Sequence, residues 1–251
     1  MPARRHTWTI VGASAAVLAV VAAGLFAFAP METVVEPVDS EPMALWAAPA
    51  DAPTRAAAPA GPGAADLVDP QWLDATADAT GIPERALAAY AGVAIRKSAE
   101  MPACGLSWNT LAAIGATESG HGAHDGSTVR ADGTATPPIF GIALVGGETD
   151  TIPDSDGGVI DGDAEWDRAV GPMQLIPQTW RNWHIDGNGD GVEDPQNIDD
   201  ATAATANYLC RASGDMATAM GWSAGITAYN SDPDYIVKIA AAGSAYRADS
   251  R

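Results

Sequence analysis

Positive charge is scarce in this sequence. Against 32 Asp and Glu there are 13 Lys and Arg, a formal net charge of −19, and residues 148–200 alone hold 14 acids and two arginines. That balance argues against nucleic acid or an anionic membrane surface as the partner of the folded part. An acidic stretch of this kind is either a solvated surface or a place for cations. Cysteine is nearly absent. Cys104 and Cys210 are the two in the chain, which in an exported protein suits one disulfide, the alternative being a pair of buried free thiols. Strand-like alternation is also rare, with Ile139 to Val145 the best stretch, so a mostly helical domain is predicted. No internal repeat is visible.

What is present comes in three parts. Arg4 and Arg5 precede a run with no charge until Glu32, and Trp8 to Ala29 is rich in Ala, Val and Leu. Twenty-two helical residues span about 33 Å, enough for a bilayer core. Residues 1–29 therefore read as a signal anchor, with the arginines cytoplasmic, or as a cleaved signal peptide ending in Ala27-Phe28-Ala29. Length and Pro30 favour the anchor. No Cys lies nearby for a lipid, and the arginine pair lacks the rest of a twin-arginine signal. Either way the remainder is exported, outside the cytoplasm, held at the cytoplasmic membrane by an anchor or released by cleavage. Residues 30–68, with seven prolines among Ala, Glu, Asp and Gly, read as a disordered tether. Periodic sequence begins at Asp69, and residues 69–251 amount to one domain.

Within that domain Asp69-Pro70 predicts a capped helix to about Ala79, and Pro83 a longer one carrying Leu87, Tyr90 and Ile95. Further helices are expected near 178–183, 200–210, 216–229 and 233–247, the last opened by Asp232-Pro233. The stretch from His121 to Val170, full of Gly, Asp, Thr and Pro, reads as a long irregular insert. Such a loop inside a compact domain points to function, for instance a flap over a groove.

The central helix is the most informative. Ser107 is placed to cap it, and Trp108, Leu111, Ile114 and Glu118 follow at helical spacing. These offsets put the Glu118 carboxyl on the apolar face. Ser119-Gly120 and Gly122 then end the helix. Burial disfavours the charged form, so such a carboxyl stays protonated near neutral pH and can donate a proton. The alternative at this point is a helix-terminal Glu that turns to solvent.

Three further stretches carry signal: Gly171-Pro172-Met173-Gln174-Leu175-Ile176-Pro177, the acidic glycine loop Asp186-Gly-Asn188-Gly-Asp190-Gly191, and Ala228-Tyr229-Asn230. Read singly, Gln174 is a helix-start residue making local hydrogen bonds and Tyr229 a core aromatic. In this order, and with Ala-Asn-Tyr-Leu at 206–209, the sequence resembles the lytic murein transglycosylases, in particular the membrane-bound B-type branch with a lysozyme-like helical core. The resemblance runs over about residues 69–247. It implies that Glu118 is the catalytic acid and base, that Ser119 is a neighbour able to orient it and one of the substrate-binding residues, and that Gln174, Tyr229 and Asn230 line the substrate groove. The long acidic insert before Gly171 departs from the larger members of that family.

The chemistry implied is cleavage of the β-1,4 bond between N-acetylmuramic acid and N-acetylglucosamine in peptidoglycan, without water, leaving a 1,6-anhydro sugar. One carboxyl suffices if the substrate's N-acetyl group takes the part of the second. The alternatives are a lysozyme-type hydrolase using the same Glu118 and a non-catalytic wall-binding protein on the same fold. The loop from Asp186 matches the opening of a calcium site, with Asp186, Asn188 and Asp190 at positions one, three and five, Gly191 at six and the Val192 carbonyl at seven. Position twelve is Asn197. The resemblance supplies Asp200 as the closing acid, with Asp194 and Asp199 the nearest substitutes. A structural Ca2+ is expected there, and no cofactor for catalysis.

Overall fold

The computed structural model describes residues 45–147 and 149–251. The apolar run from Trp8 to Ala29 and the tether as far as residue 44 lie outside the described residues. No helix among the described residues is long and apolar enough to cross a membrane.

Among the described residues seven α-helices form the frame: α1 Pro70–Thr80, α2 Glu84–Glu100, α3 Trp108–Ser119, α4 Pro177–Trp183, α5 Ile198–Ser213, α6 Ala219–Tyr229 and α7 Pro233–Asp249. Their starts follow from local chemistry. The Asp69 carboxylate accepts the N–H groups of Gln71 and Trp72 ahead of Pro70. Asn197, Thr218 and Asp232 cap α5, α6 and α7 through their side chains, each satisfying donors that a helix start leaves unpaired. Ser107 occupies the cap position of α3, but its side chain makes no capping bond.

The interior lies where α2 and α3 meet α5, α6 and α7. Leu87 and Tyr90 of α2, Trp108, Leu111 and Ile114 of α3, Leu209 of α5, Trp222 and Ile226 of α6 and Ile239 of α7 are fully buried. One buried polar pair joins two of these helices: the Trp222 indole N–H donates to the Thr110 hydroxyl at 3.1 Å.

The boundary expected at residue 69 lies further upstream. Residues 45–68 carry almost no regular structure, yet they pack onto the helices rather than forming a free tether. Ala47, Ala64 and Val68 join the core. The buried Asn109 amide accepts the Ala50 N–H and donates to the carbonyls of Ala48 and Gly243. The Trp108 indole donates to Asp51 O. Gly92 on α2 lets the Ala64 carbonyl come so close that a β-carbon there would sit 2.1 Å from it. A proline- and alanine-rich segment has little side chain to bury, but its backbone groups find partners already fixed in the domain.

The insert from 121 to 170 is also more ordered than its composition suggests. β1 (Thr128–Val129) pairs antiparallel with β2 (Ala135–Thr136), and β3 (Phe140–Ala143) with β4 (Arg168–Val170), with an irregularity between Phe140 and Ala143. Its acids are largely internal caps. Asp154 accepts N–H groups from residues 156–158 and Asp156 from 158–160. The buried Asp161 and Asp167 accept from the backbone of Arg168 and Ser155. Asp-Gly turns held this way stay compact without an apolar core.

Cys104, in a short 3-10 turn before α3, is bonded to Cys210 in the last full turn of α5, with Cα atoms 5.2 Å apart and a sequence separation of 106. A loop of that size is worth about 4–5 kcal/mol in the chain-entropy treatment. The paired Cys104→Ala, Cys210→Ala variant is expected to melt lower by on the order of 10 °C, measured by circular dichroism without reductant. An unchanged melting temperature would contradict this.

Candidate active site

Glu118 occupies the last turn of α3, one residue before Ser119 and two before Gly120, whose φ of 58° ends the helix. The apolar face of α3 carries the carboxyl inward, where the Tyr235 hydroxyl donates to Glu118 Oε1 at 2.5 Å. Two effects oppose each other. Burial disfavours the carboxylate, the Tyr235 hydrogen bond favours it, and burial wins, raising the pKa to about 7. The C-terminal end of a helix also disfavours a negative charge. Glu118 is therefore a carboxyl half-protonated near neutral pH, as a general acid and base requires.

The carboxyl opens into a cleft of about 770 Å³. Gln174 lines one wall, Tyr229 and Asn230 at the end of α6 another, and Leu144, Asp150 and Ile152 of the insert a third. Four of the residues singled out in the sequence thus share one groove. Gln174 sits at φ 48°, a left-handed position rare outside glycine. It is held there by its side-chain amide, which donates to Gly171 O at 3.0 Å, and Gly141 leaves room beside its Oε1. Tyr229 donates its hydroxyl to Met173 O and stacks on Tyr235 with ring centroids 6.4 Å apart. Its hydroxyl is therefore committed to the wall, and what it offers the groove is its ring. The Asn230 side-chain oxygen accepts the Asp232 N–H.

Ser119 is not among the residues that line the groove. It is buried, accepts the Gly122 N–H at 2.7 Å and donates to Pro172 O at 2.6 Å. It touches neither the groove nor the Glu118 carboxyl. It fastens the turn after Glu118 to the Gly171-Pro172 turn that places Gln174.

The loop from Asp186 is folded about its own backbone. Asp186 accepts the N–H groups of Gly189 and Gly191, Asn188 that of Asp190, and Asp190 that of Val192. Asp200, buried at the start of α5, accepts from Gly187, Asn188 and Asp194. Burial raises its pKa to about 6, and the Asp186 charge adds to this. A buried carboxylate close to the charge of Asp186 is a reason for a cation. The carboxylates are nevertheless not gathered. Among the described residues the group with three acidic ligand atoms within 4.8 Å of one another is Asp154, Asp156 and Asp167. Asp199 is engaged in an ion pair with Arg85.

Tyr235 and Asp150 are among the residues at the site that the sequence did not single out. Tyr235 lies two residues into α7, after Asp232-Pro233, and looks like any aromatic at a helix start. Asp150 was one acid among many in the insert. No spacing rule connects either to Glu118; the fold does.

Residues 161–241 match the family model described as Transglycosylase SLT domain. The matched stretch is less than half of the chain. It contains Gln174, Tyr229, Asn230 and Tyr235 and leaves Glu118 outside. No curated protein and no solved structure compared with the chain matches it. The match supports the likeness to lytic transglycosylases, and the mostly helical fold is consistent with it.

Because Tyr235 stabilises the charged carboxyl, replacing it by Phe is expected to raise the Glu118 pKa. In the pH profile of kcat/KM, activity falls as Glu118 loses its proton, near pH 7 in the wild type. In Tyr235→Phe that falling limb is expected to move to higher pH. A limb that stays in place or moves down would contradict the assigned role of the hydrogen bond.

Proposed function

We propose that this protein is a peptidoglycan lytic transglycosylase. It cuts the β-1,4 bond between N-acetylmuramic acid and N-acetylglucosamine and closes the muramoyl residue into its 1,6-anhydro form, in remodelling of the cell wall. The observation that carries this reading is one carboxyl, Glu118, with its pKa near neutrality at the floor of a groove. The likeness of residues 161–241 to a transglycosylase domain supports it independently. In the first step Glu118 donates its proton to the leaving glycosidic oxygen. As carboxylate, now favoured by the Tyr235 hydroxyl, it takes the proton from the muramoyl 6-hydroxyl as that oxygen closes onto C1. The ring faces of Tyr229 and Tyr208 and the Gln174 amide line the groove, where they hold the sugars and fix the bond relative to Glu118.

The order of motifs supports the membrane-bound B-type branch, with residues 1–29 as a signal anchor that holds the domain on the outer side of the cytoplasmic membrane, or as a signal peptide whose cleavage releases it. The Cys104–Cys210 disulfide agrees with an oxidising compartment. The partner is the glycan strand of the wall. A second reading, hydrolysis, draws on one observation: Asp150 and Asp232 line the same groove as Glu118, and either could direct a water.

Digestion of purified peptidoglycan followed by mass spectrometry separates the two. Transglycosylation gives muropeptides lighter by one water and without a reducing end; reducing products would establish the hydrolase. Glu118→Gln is expected to lower the rate by at least ~10²–10⁴-fold while the circular dichroism spectrum is unchanged. A folded variant with near wild-type release would sink the assignment.

For the loop from Asp186 we propose one structural calcium ion. Asp186, Asn188, Asp190 and Asp200 would hold it through side-chain oxygens and Val192 through its carbonyl. An ion there supplies charge balance, not chemistry. The loop is joined to the domain edge, since Ala64 donates to Gly187 O at 2.8 Å, so binding tightens that edge. With no Glu at position twelve, a dissociation constant around 10⁻⁴–10⁻³ M is expected. Millimolar calcium should raise the melting temperature relative to EDTA at matched ionic strength; equal melting temperatures and no calcium heat would leave an ordinary acidic turn.

A further inference from the structure

The backbone after Glu118 does something unusual. His121 takes φ 63°, and its N–H turns back to Gly115 O at 2.9 Å. This directs the imidazole between two helices. Its Nδ1 lies 3.2 Å from the Tyr90 hydroxyl on α2, and its Nε2 lies 3.1 Å from the Tyr246 hydroxyl on α7. The proposed reaction uses none of these three side chains.

The protonation of this bridge follows from burial. Desolvation lowers the His121 pKa to about 4, so the ring is neutral at neutral pH and has one donor and one acceptor nitrogen. Tyr90 is fully buried, packed so closely on α3 that a β-carbon on Gly115 would lie 2.1 Å from its hydroxyl oxygen. If Nδ1 carried the hydrogen, it would donate to Tyr90, and the Tyr90 O–H would be left buried without an acceptor. With the hydrogen on Nε2, Tyr90 donates to Nδ1 and Nε2 donates to Tyr246. Tyr246 is partly exposed and can give its own hydrogen to water.

The bridge reaches Glu118 by two routes. His121 is three residues beyond Glu118, so anchoring its ring anchors the turn that ends α3. The second route is α7. Tyr246 and Tyr235 are eleven residues apart, about three turns or ~16 Å, which returns to the same helix face. One face of α7 thus presents Tyr235 to Glu118 and Tyr246 to His121. A single hydrogen bond would leave α7 free to rock about it. Two bonds three turns apart fix its rotation and its slide on α3.

We propose that His121 is a positioning residue for Glu118: as the neutral Nε2–H tautomer it clamps α3 between Tyr90 of α2 and Tyr246 of α7 and thereby holds Tyr235 on the Glu118 carboxyl. The proposal rests on the assignment of Glu118 as catalytic acid. It predicts a loss in kcat with little change in KM, because the groove walls that line the sugar are not part of the clamp. His121→Asn is the useful variant, since Asn tolerates the left-handed backbone but cannot span both tyrosines.

The test uses the full chain and a soluble tetrasaccharide-peptide fragment of peptidoglycan. His121→Asn and Tyr246→Phe, each with a cooperative melt, are expected to lower kcat ~10-fold or more with KM within about twofold. The effects of Tyr246→Phe and Tyr235→Phe should not multiply in the double variant, although sites this far apart ordinarily act independently. Independently, ¹⁵N spectra of the wild type should show Nδ1 of His121 unprotonated. Folded variants with wild-type kcat, or Tyr246 and Tyr235 effects that multiply, would overturn the positioning role. A protonated Nδ1 would overturn the tautomer. A wild type inactive on every fragment would overturn the catalytic reading and the positioning role with it, while the ¹⁵N result would still decide the clamp itself.

Discussion

A carboxyl that must be buried enough to keep its proton, yet open enough to reach a sugar, sets the terms for this fold. Glu118 meets both conditions by ending a helix. The apolar face of α3 carries it inward, and the helix stops at Gly120 before it can be covered. Desolvation raises its pKa to about 7, and the Tyr235 hydroxyl limits the rise. Were burial complete and unopposed, the acid would keep its proton too tightly to act as a base in the second step. With full exposure it would be ionised before the first.

The rest of the domain holds that compromise in place. Ser119 ties the turn to Pro172, and the same turn orients Gln174 through Gly171. Tyr229 closes the wall by bonding Met173 and stacking on Tyr235. The acids so abundant between 148 and 200 are for the most part not free charges. Asp154, Asp156, Asp161 and Asp167 cap the backbone of the insert, and Asp186, Asn188 and Asp190 cap the next loop. An irregular wall built from glycine and aspartate needs such bonds, because it has little apolar surface to bury.

Much of the frame was legible in the sequence. Asp-Pro pairs marked the starts of α1 and α7, and the spacing Leu111, Ile114, Glu118 placed the acid on the inner face, because each signal is local and physical. The errors have a common cause. Residues 45–68 looked unable to fold because they show no sustained apolar period, yet their backbone is held by Asn109, Trp108 and Gly187, partners far away in the chain. The pairing of β3 with β4 was hidden because the two short strands are separated by a stretch of turns. The tie from Ser119 to Pro172 was hidden because the two lie 53 residues apart. Tyr235 and His121 carried no signal beyond their residue types, since their roles exist only once α7 lies on α3.

The account depends most directly on the ionisation of one side chain. Carboxyl ¹³C spectra of the full chain, with Glu118 identified by its loss in Glu118→Gln, would follow that ionisation without reference to turnover. A midpoint near pH 7 is expected. A midpoint near 4, the ordinary value for a solvated glutamate, would contradict a buried acid held for proton transfer.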